Sequence, residues 1–155
     1  AVIIAGRKNI DPRLIESLSQ HPRWKDNYDV RLALCKNPKT PQRLALSISK
    51  FLKVFDLADL TRNNVLPVSR RMQIEAEIIE RFPGMPIGIK TTLAKRASSN
   101  ILMRLIAEGH AEVLEVCLMS PHMTEGNIYK IFSMEKLPHQ VVRMIASHPK
   151  WSSRP

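Results

Sequence analysis

His110, Glu112 and Cys117 are the residues of this chain that come closest to a catalytic constellation. A His-x-Glu pair with a cysteine nearby is how a hydrolytic zinc site begins, the histidine binding metal and the glutamate moving protons. Such a site also needs a Pro-Cys-x-x-Cys segment to complete the metal shell around its activated water. None is present, so the pair is expected at a helix start with His110 exposed. His21 and His148 each precede a proline. They are expected to close helices by hydrogen-bonding or charge-stabilising the last carbonyls, because no second ligand recurs beside them at a fixed spacing.

The carboxylates offer no more. Glu75, Glu77 and Glu80 share one segment, and Glu77 with Arg81 forms an i, i+4 surface pair. Glu112 and Glu115 stand one turn apart, and no second carboxylate from a distant segment can be assigned as an acid/base partner. There is no phosphate-cradling loop of Walker or G-x-G-x-x-G type and no G-x-S-x-G elbow. Gly84-Met85-Pro86-Ile87-Gly88 is expected to be an apolar turn. Cys35 and Cys117 fall in apolar stripes and act as small hydrophobes, and the seven methionines fill core gaps. Trp24 and Trp151 are expected to cover joints between helices. The alternative for them is base stacking beside Arg23 or Lys150. The reading is of a non-enzyme with no catalytic residue, cofactor or metal.

The elements that would position these residues are legible from composition and rhythm. The chain has 155 residues, 44% apolar and 25% charged, which describes one globular domain with a real core. No apolar run reaches the ~18 residues of a membrane span. Ala1–Asn9 is too short for a signal peptide, and two cysteines cannot build a disulfide framework. A reducing, cytoplasmic setting is expected. The net charge is +10, and residues 1–50 carry ten bases against four acids while residues 101–155 carry six against five. That asymmetry suits a polyanionic partner near the N-terminal half, or else an ordinary solvated surface, since the bases are scattered singly rather than clustered.

The chain also echoes itself. Residues 10–24 align with residues 137–151 at an offset of 127, each ending in His-Pro-basic-Trp, and Val30–Pro38 aligns with Val113–Pro121 at an offset of 83. Between regularly spaced prolines lie apolar residues at i, i+3, i+4, i+7: Leu14, Ile15 and Leu18; Val30, Leu32 and Leu34; Leu44, Leu46, Ile48 and Leu52; Met72, Ile74, Ile78, Ile79 and Phe82 in a helix over roughly 66–82; Ile87, Ile89 and Leu93; and Val141, Val142 and Ile145. Hairpin dipeptides are absent. Asp11-Pro12 and Thr40-Pro41 read as N-cap and first helical residue. Ser98 or Ser99 starts a helix that Gly109 ends, and Thr124 or His122 starts another. About ten helices of roughly 9–17 residues follow. Segments so short must be stabilised by packing on neighbours, which stacked pairs provide; a compact helical bundle is the competing arrangement.

Asp29-Val30-Arg31-Leu32-Ala33-Leu34 followed by Asn37-Pro38-Lys39-Thr40-Pro41 resembles the repeat of leucine-rich-repeat-variant and related HEAT-like proteins, in which Asn-Pro stops one helix and Thr-Pro starts the next. The likeness is good over residues 10–52, partial over 110–151, where Ser120-Pro121-His122-Met123-Thr124 lacks the second proline, and weak over 53–109. It implies an all-α fold, a right-handed α-solenoid of about five helix pairs forming one domain over 1–155, with a curved face that binds proteins or, in some members, nucleic acid. The cysteine-rich iron–sulfur segment of some leucine-rich-repeat-variant proteins has no counterpart here. His148-Pro149-Lys150-Trp151 is followed by only four residues and the N-terminal segment is apolar, so a segment of a longer repeat protein, or a chain that pairs end to end, is expected.

The expected function is therefore a non-catalytic scaffold for protein–protein interaction. A basic HEAT-like nucleic-acid-binding module is the alternative, and an enzyme resembling HEAT-like DNA glycosylases a third. Residues expected to contact a polyanion or partner are Arg23, Trp24, Lys25, Arg31, Lys36, Lys39 and Arg43.

Overall fold

Capping side chains and prolines set where many of the helices begin. Asp11 accepts a hydrogen bond from the Arg13 amide at 2.8 Å and Pro12 follows it as the first helical residue, where its missing N–H is no loss. Asn27 accepts from the Val30 amide, Ser98 from the Ile101 amide, and Thr124 and Asn127 cap each other reciprocally. In the computed structural model, which describes residues 1–153, these signals start four of eleven α-helices. They are α1 (Val2–Ala5), α2 (Pro12–Gln20), α3 (Tyr28–Lys36), α4 (Gln42–Ser49), α5 (Val54–Thr61), α6 (Val68–Glu80), α7 (Ile87–Ala94), α8 (Ser99–Ala107), α9 (Ala111–Met119), α10 (Glu125–Phe132) and α11 (His139–Ser147), with a 3-10 turn at Phe82–Gly84. No strand occurs among the described residues. The fold is all-α, and no helix is long and apolar enough to cross a membrane.

The chain divides into two compact units, Ala1–Ile78 and Ile79 onward. In the first, α3 packs against its sequence neighbours α2 and α4 and also against α1 and α5. In the second, α9 packs against α8 and also against α7 and α11, while α8 meets α7 and α10. Within each unit the odd-numbered helices therefore lie directly on one another, skipping the helix between. Ile15, Val30, Leu34, Leu57 and Ile74 are buried in the first unit; Leu93, Ile101, Leu102, Leu105, Val113, Leu114 and Ile131 are buried in the second. Burying each side chain of this size stabilises by about 1.5–3 kcal/mol, more than an isolated nine-residue helix can supply from its own hydrogen bonds.

Helix rotation departs from the sequence reading at several positions. Met72, Ile87, Ile89 and Val142 are exposed, although the apolar stripes include them. In α7 the buried face is Lys90, Leu93 and Ala94, which turns Ile87 and Ile89 outward. The helices are also shorter than expected, running from 4 residues in α1 to 13 in α6. Thr40 does not cap α4, whose N-cap is Pro41. Gly109 ends α8 as expected, with φ at 78° in the left-handed region.

Candidate interaction grooves

Asp29, Leu32, Ala33 and Lys36 occupy one face of α3 at the i, i+3, i+4, i+7 spacing. That face is turned away from Val30 and Leu34, which are buried in the core. It forms the bed of a groove of about 530 Å³, walled by Val2, Gly6 and Lys8 on one side and by Asn37, Pro38, Asn63 and Val65 at the end. Val2 belongs to α1, Gly6 and Lys8 to the segment after it, and Asn63 and Val65 to the segment after α5, both helices packing on α3. A second groove, of about 440 Å³, is lined by Lys95, Glu115, Val116, Met119, Ser120 and Pro121. At the offset of 83 relating α3 to α9, the last five of these stand at the positions of Leu32, Ala33, Lys36, Asn37 and Pro38. Each unit thus carries a groove at the same place on its central odd-numbered helix. In chemistry the two differ: Lys36 is replaced by Met119 and Leu32 by Glu115.

The groove end in the first unit is held by a buried latch. Asn37 is 3% exposed. Its Nδ2 donates to the carbonyls of Ala5 at 2.7 Å and Arg7 at 3.0 Å, and its Oδ1 accepts from the Lys39 amide at 2.9 Å. Thr40 Oγ1 donates to the Leu34 carbonyl at 2.6 Å. Arg70, on α6, reaches beneath the loop: Nη1 donates to the Asn37 carbonyl at 2.9 Å and Nη2 to the Thr40 carbonyl. The role of Asn37-Pro38-Lys39-Thr40 is thus to satisfy buried backbone groups, and Thr40 serves the preceding helix rather than the next. Burial lowers the Arg70 pKa from its ordinary value. In the second unit the matching loop is held by other residues. Trp151 Nε1 donates to the Leu118 carbonyl at 3.1 Å and Lys150 Nζ to the Ser120 carbonyl at 3.3 Å.

The residues expected to meet a partner divide into two groups. Lys36 lines the groove, and Lys39 and Arg43, also exposed, lie on the adjoining loop and helix. Arg23, Trp24 and Lys25 belong to the turn between α2 and α3, and Arg31 stands in the first turn of α3 beside them. There Arg23 covers the Trp24 ring at 4.8 Å, and Arg31 covers the Phe51 ring at 4.5 Å, pairs with Asp26 at 2.7 Å and donates to the Lys25 carbonyl at 2.8 Å. Rings already covered by the chain's own cations are poor platforms for a base. Tyr28 is engaged likewise: its hydroxyl donates to Asp56 and accepts from the Lys53 amide at 3.0 Å, while Lys53 lies over its ring. Burial, and then the hydrogen bond to Asp56, raise its pKa.

The two His-Pro-basic-Trp turns are alike locally. His21 Nδ1 accepts from the Arg23 amide and His148 Nδ1 from the Lys150 amide, both at 3.2 Å. The imidazoles therefore act as acceptors inside their turns and do not donate to the final helix carbonyls, which corrects the expectation for both histidines. Trp151 is buried, but Trp24 is only half-buried. The first turn follows an even-numbered helix and the second an odd-numbered one, so the offset of 127 joins two similar turns at unlike places in the stacking.

His110 is the exposed N-cap of α9, whereas Cys117 is buried within it. Among the described residues no three His, Cys, Asp or Glu side chains gather to hold a metal. Burial pushes the thiols of Cys35 and Cys117 up to about 12, which keeps them neutral at physiological pH. One charged pair has no local signature in the sequence. Lys90, 5% exposed on α7, donates to both carboxylate oxygens of Glu108 at 2.7 and 3.0 Å and lies 5.6 Å from the Phe82 ring centre. No protein-family model, curated protein or solved structure matches the chain.

Proposed function

We propose that the chain is a non-catalytic helical-repeat scaffold that binds other proteins through the outward faces of its odd-numbered helices. One observation carries this reading: a groove recurs at equivalent positions on α3 and α9, each bedded on a helix face that stays partly open to solvent. A repeated open groove with apolar floor and polar rim suits an extended segment of another chain better than a small substrate, which is usually enclosed. The direct packing of α1 on α3 on α5, and of α7 on α9 on α11, supports an α-solenoid of HEAT-like character. The test is a photo-crosslinking amino acid at Lys36 or Met119, with Gln20 on α2 as an exposed control. Adducts at both groove positions that survive nuclease, vanish with protease and re-form with the purified partner are expected. Adducts that vanish with nuclease would overturn the reading.

A nucleic-acid role is the second reading, favoured by the exposure of Arg23, Lys25, Lys36, Lys39 and Arg43 together with the excess of bases in residues 1–50. It requires duplex or single-stranded binding that weakens steeply with salt. A gel shift unaffected by salt, or absent, would remove it.

A further inference from the structure

We infer that the groove on α3 takes an acidic, extended segment of a partner protein, with a carboxylate side chain seated between Lys8 and Lys36; this rests on the scaffold reading above. Lys8 and Lys36 are exposed and line the same groove, and Asp29 lines it one face-repeat earlier on α3. The seven-residue step from Asp29 to Lys36 spans about 10 Å of helix, so the groove carries a negative end and a positive end. An acidic group is therefore steered to the Lys36 end.

Two features make that end more favourable for an anion than a helix C-terminus usually is. The Leu34 carbonyl is already taken by Thr40 Oγ1 and the Asn37 amide. The carbonyls of Asn37 and Thr40 are taken by the Arg70 guanidinium, a buried positive charge directly behind the groove wall. The floor between the charged ends is Leu32 and Ala33, and Val2 and Val65 also line the groove. It offers apolar contact for the residues flanking the carboxylate, and no aromatic ring lines it for a base to stack on. The equivalent groove on α9 has one cation, Lys95, against Glu115 and Met119 at the Lys36 position, so it lacks the pair of lysines and serves as an internal control.

The experiment is to pan a phage-displayed dodecapeptide library on the immobilised full chain and on the Lys8→Glu/Lys36→Glu variant. Both lysines are exposed, and a thermal melt of the variant should overlie that of the parent. The expected result is enrichment of sequences with acidic residues flanking apolar ones. Peptides synthesised from them should bind the variant on the order of 10–100-fold more weakly, as two charge-assisted contacts are lost, and should be unaffected by Met119→Glu. Enrichment without acidic bias, no enrichment, or equal binding to the variant would overturn the assignment. Displacement of the peptides by a 20-base-pair DNA duplex or a 20-nucleotide RNA would also overturn it. If protein adducts form at Lys36 and Met119 while no acidic peptide binds, the scaffold reading stands and this assignment alone falls. If only nucleic acid is captured, both fall.

Discussion

Arg70→Met tests whether the loop at the groove end is held by the buried guanidinium. Arg70 is 4% exposed and donates to two carbonyls, those of Asn37 and Thr40. Hydrogen bonds from a charged donor contribute about 1.5–3 kcal/mol each, so the pair gives roughly 3–6 kcal/mol. Against this stands Arg70 Nε, buried without a partner, an omission that costs about 1–3 kcal/mol. Methionine keeps most of the packing volume and removes the orphaned donor, but it takes the charged donor from both carbonyls and leaves the Asn37 carbonyl with the Thr40 amide alone. The expected loss is about 2–3 kcal/mol, or roughly 4–10 °C in Tm for a chain of this size. Arg70→Lys should recover less than half, since an ammonium is a point donor without the fork that spans both carbonyls. Urea and thermal melts followed by circular dichroism measure the change. Hydrogen exchange should locate it at the Lys39 and Thr40 amides, which bond to Asn37 Oδ1 and the Asn37 carbonyl. A destabilisation under about 0.5 kcal/mol with unchanged exchange would refute the latch, because the carbonyls would then be served equally well by water.

The Lys90–Glu108 pair should show strong coupling. Lys90→Met alone leaves Glu108 uncompensated beside the last carbonyls of α8 and should cost about 1–3 kcal/mol, discounted for the 28% exposure of the Glu108 side chain, whereas Lys90→Met/Glu108→Gln should recover most of it in a double-mutant melt. Gly109→Ala should cost roughly 1–2 kcal/mol, since its φ of 78° strains an L residue and a Cβ would meet Pro138 Cγ at 3.1 Å; an unchanged melt would show that the turn relaxes freely. For the thiols, burial raises the folded pKa from 9.0 to about 12. Their contribution to stability is therefore complete below pH 9 and is lost as pH rises toward 12. A disulfide reagent at pH 8 should accordingly label Cys35 and Cys117 only after denaturant is added, and rapid native labelling would contradict their burial.

What could be read from the sequence follows from which interactions are local. Helix starts at Asp11, Ser98 and Thr124 and the stop at Gly109 are legible because a cap is settled within three or four residues. The all-α class is legible for the same reason, since proline spacing and 3.6-residue periodicity are properties of short windows. Helix rotation is different. In α7 the stripe Ile87, Ile89, Leu93 and the stripe Lys90, Leu93, Ala94 are both compatible with the window, and the choice is made 18 residues away, where Glu108 accepts the Lys90 ammonium. A binary pattern that scores lysine as polar cannot find a lysine whose partner makes it buried. Asn37 fails in a parallel way: as Asn-Pro it reads correctly as a helix stop, yet its amide is committed to Ala5 and Arg7, some 30 residues earlier. A scarce residue can also mark a turn without marking a place in the fold. Trp24 and Trp151 made the offset of 127 conspicuous, but they share a turn and not a place in the stacking. The plainer offset of 83 superposes α3 on α9, and with them the two grooves. In a chain built from short helices, a repeat that preserves which face of a helix is left uncovered says more about function than one that preserves an unusual side chain.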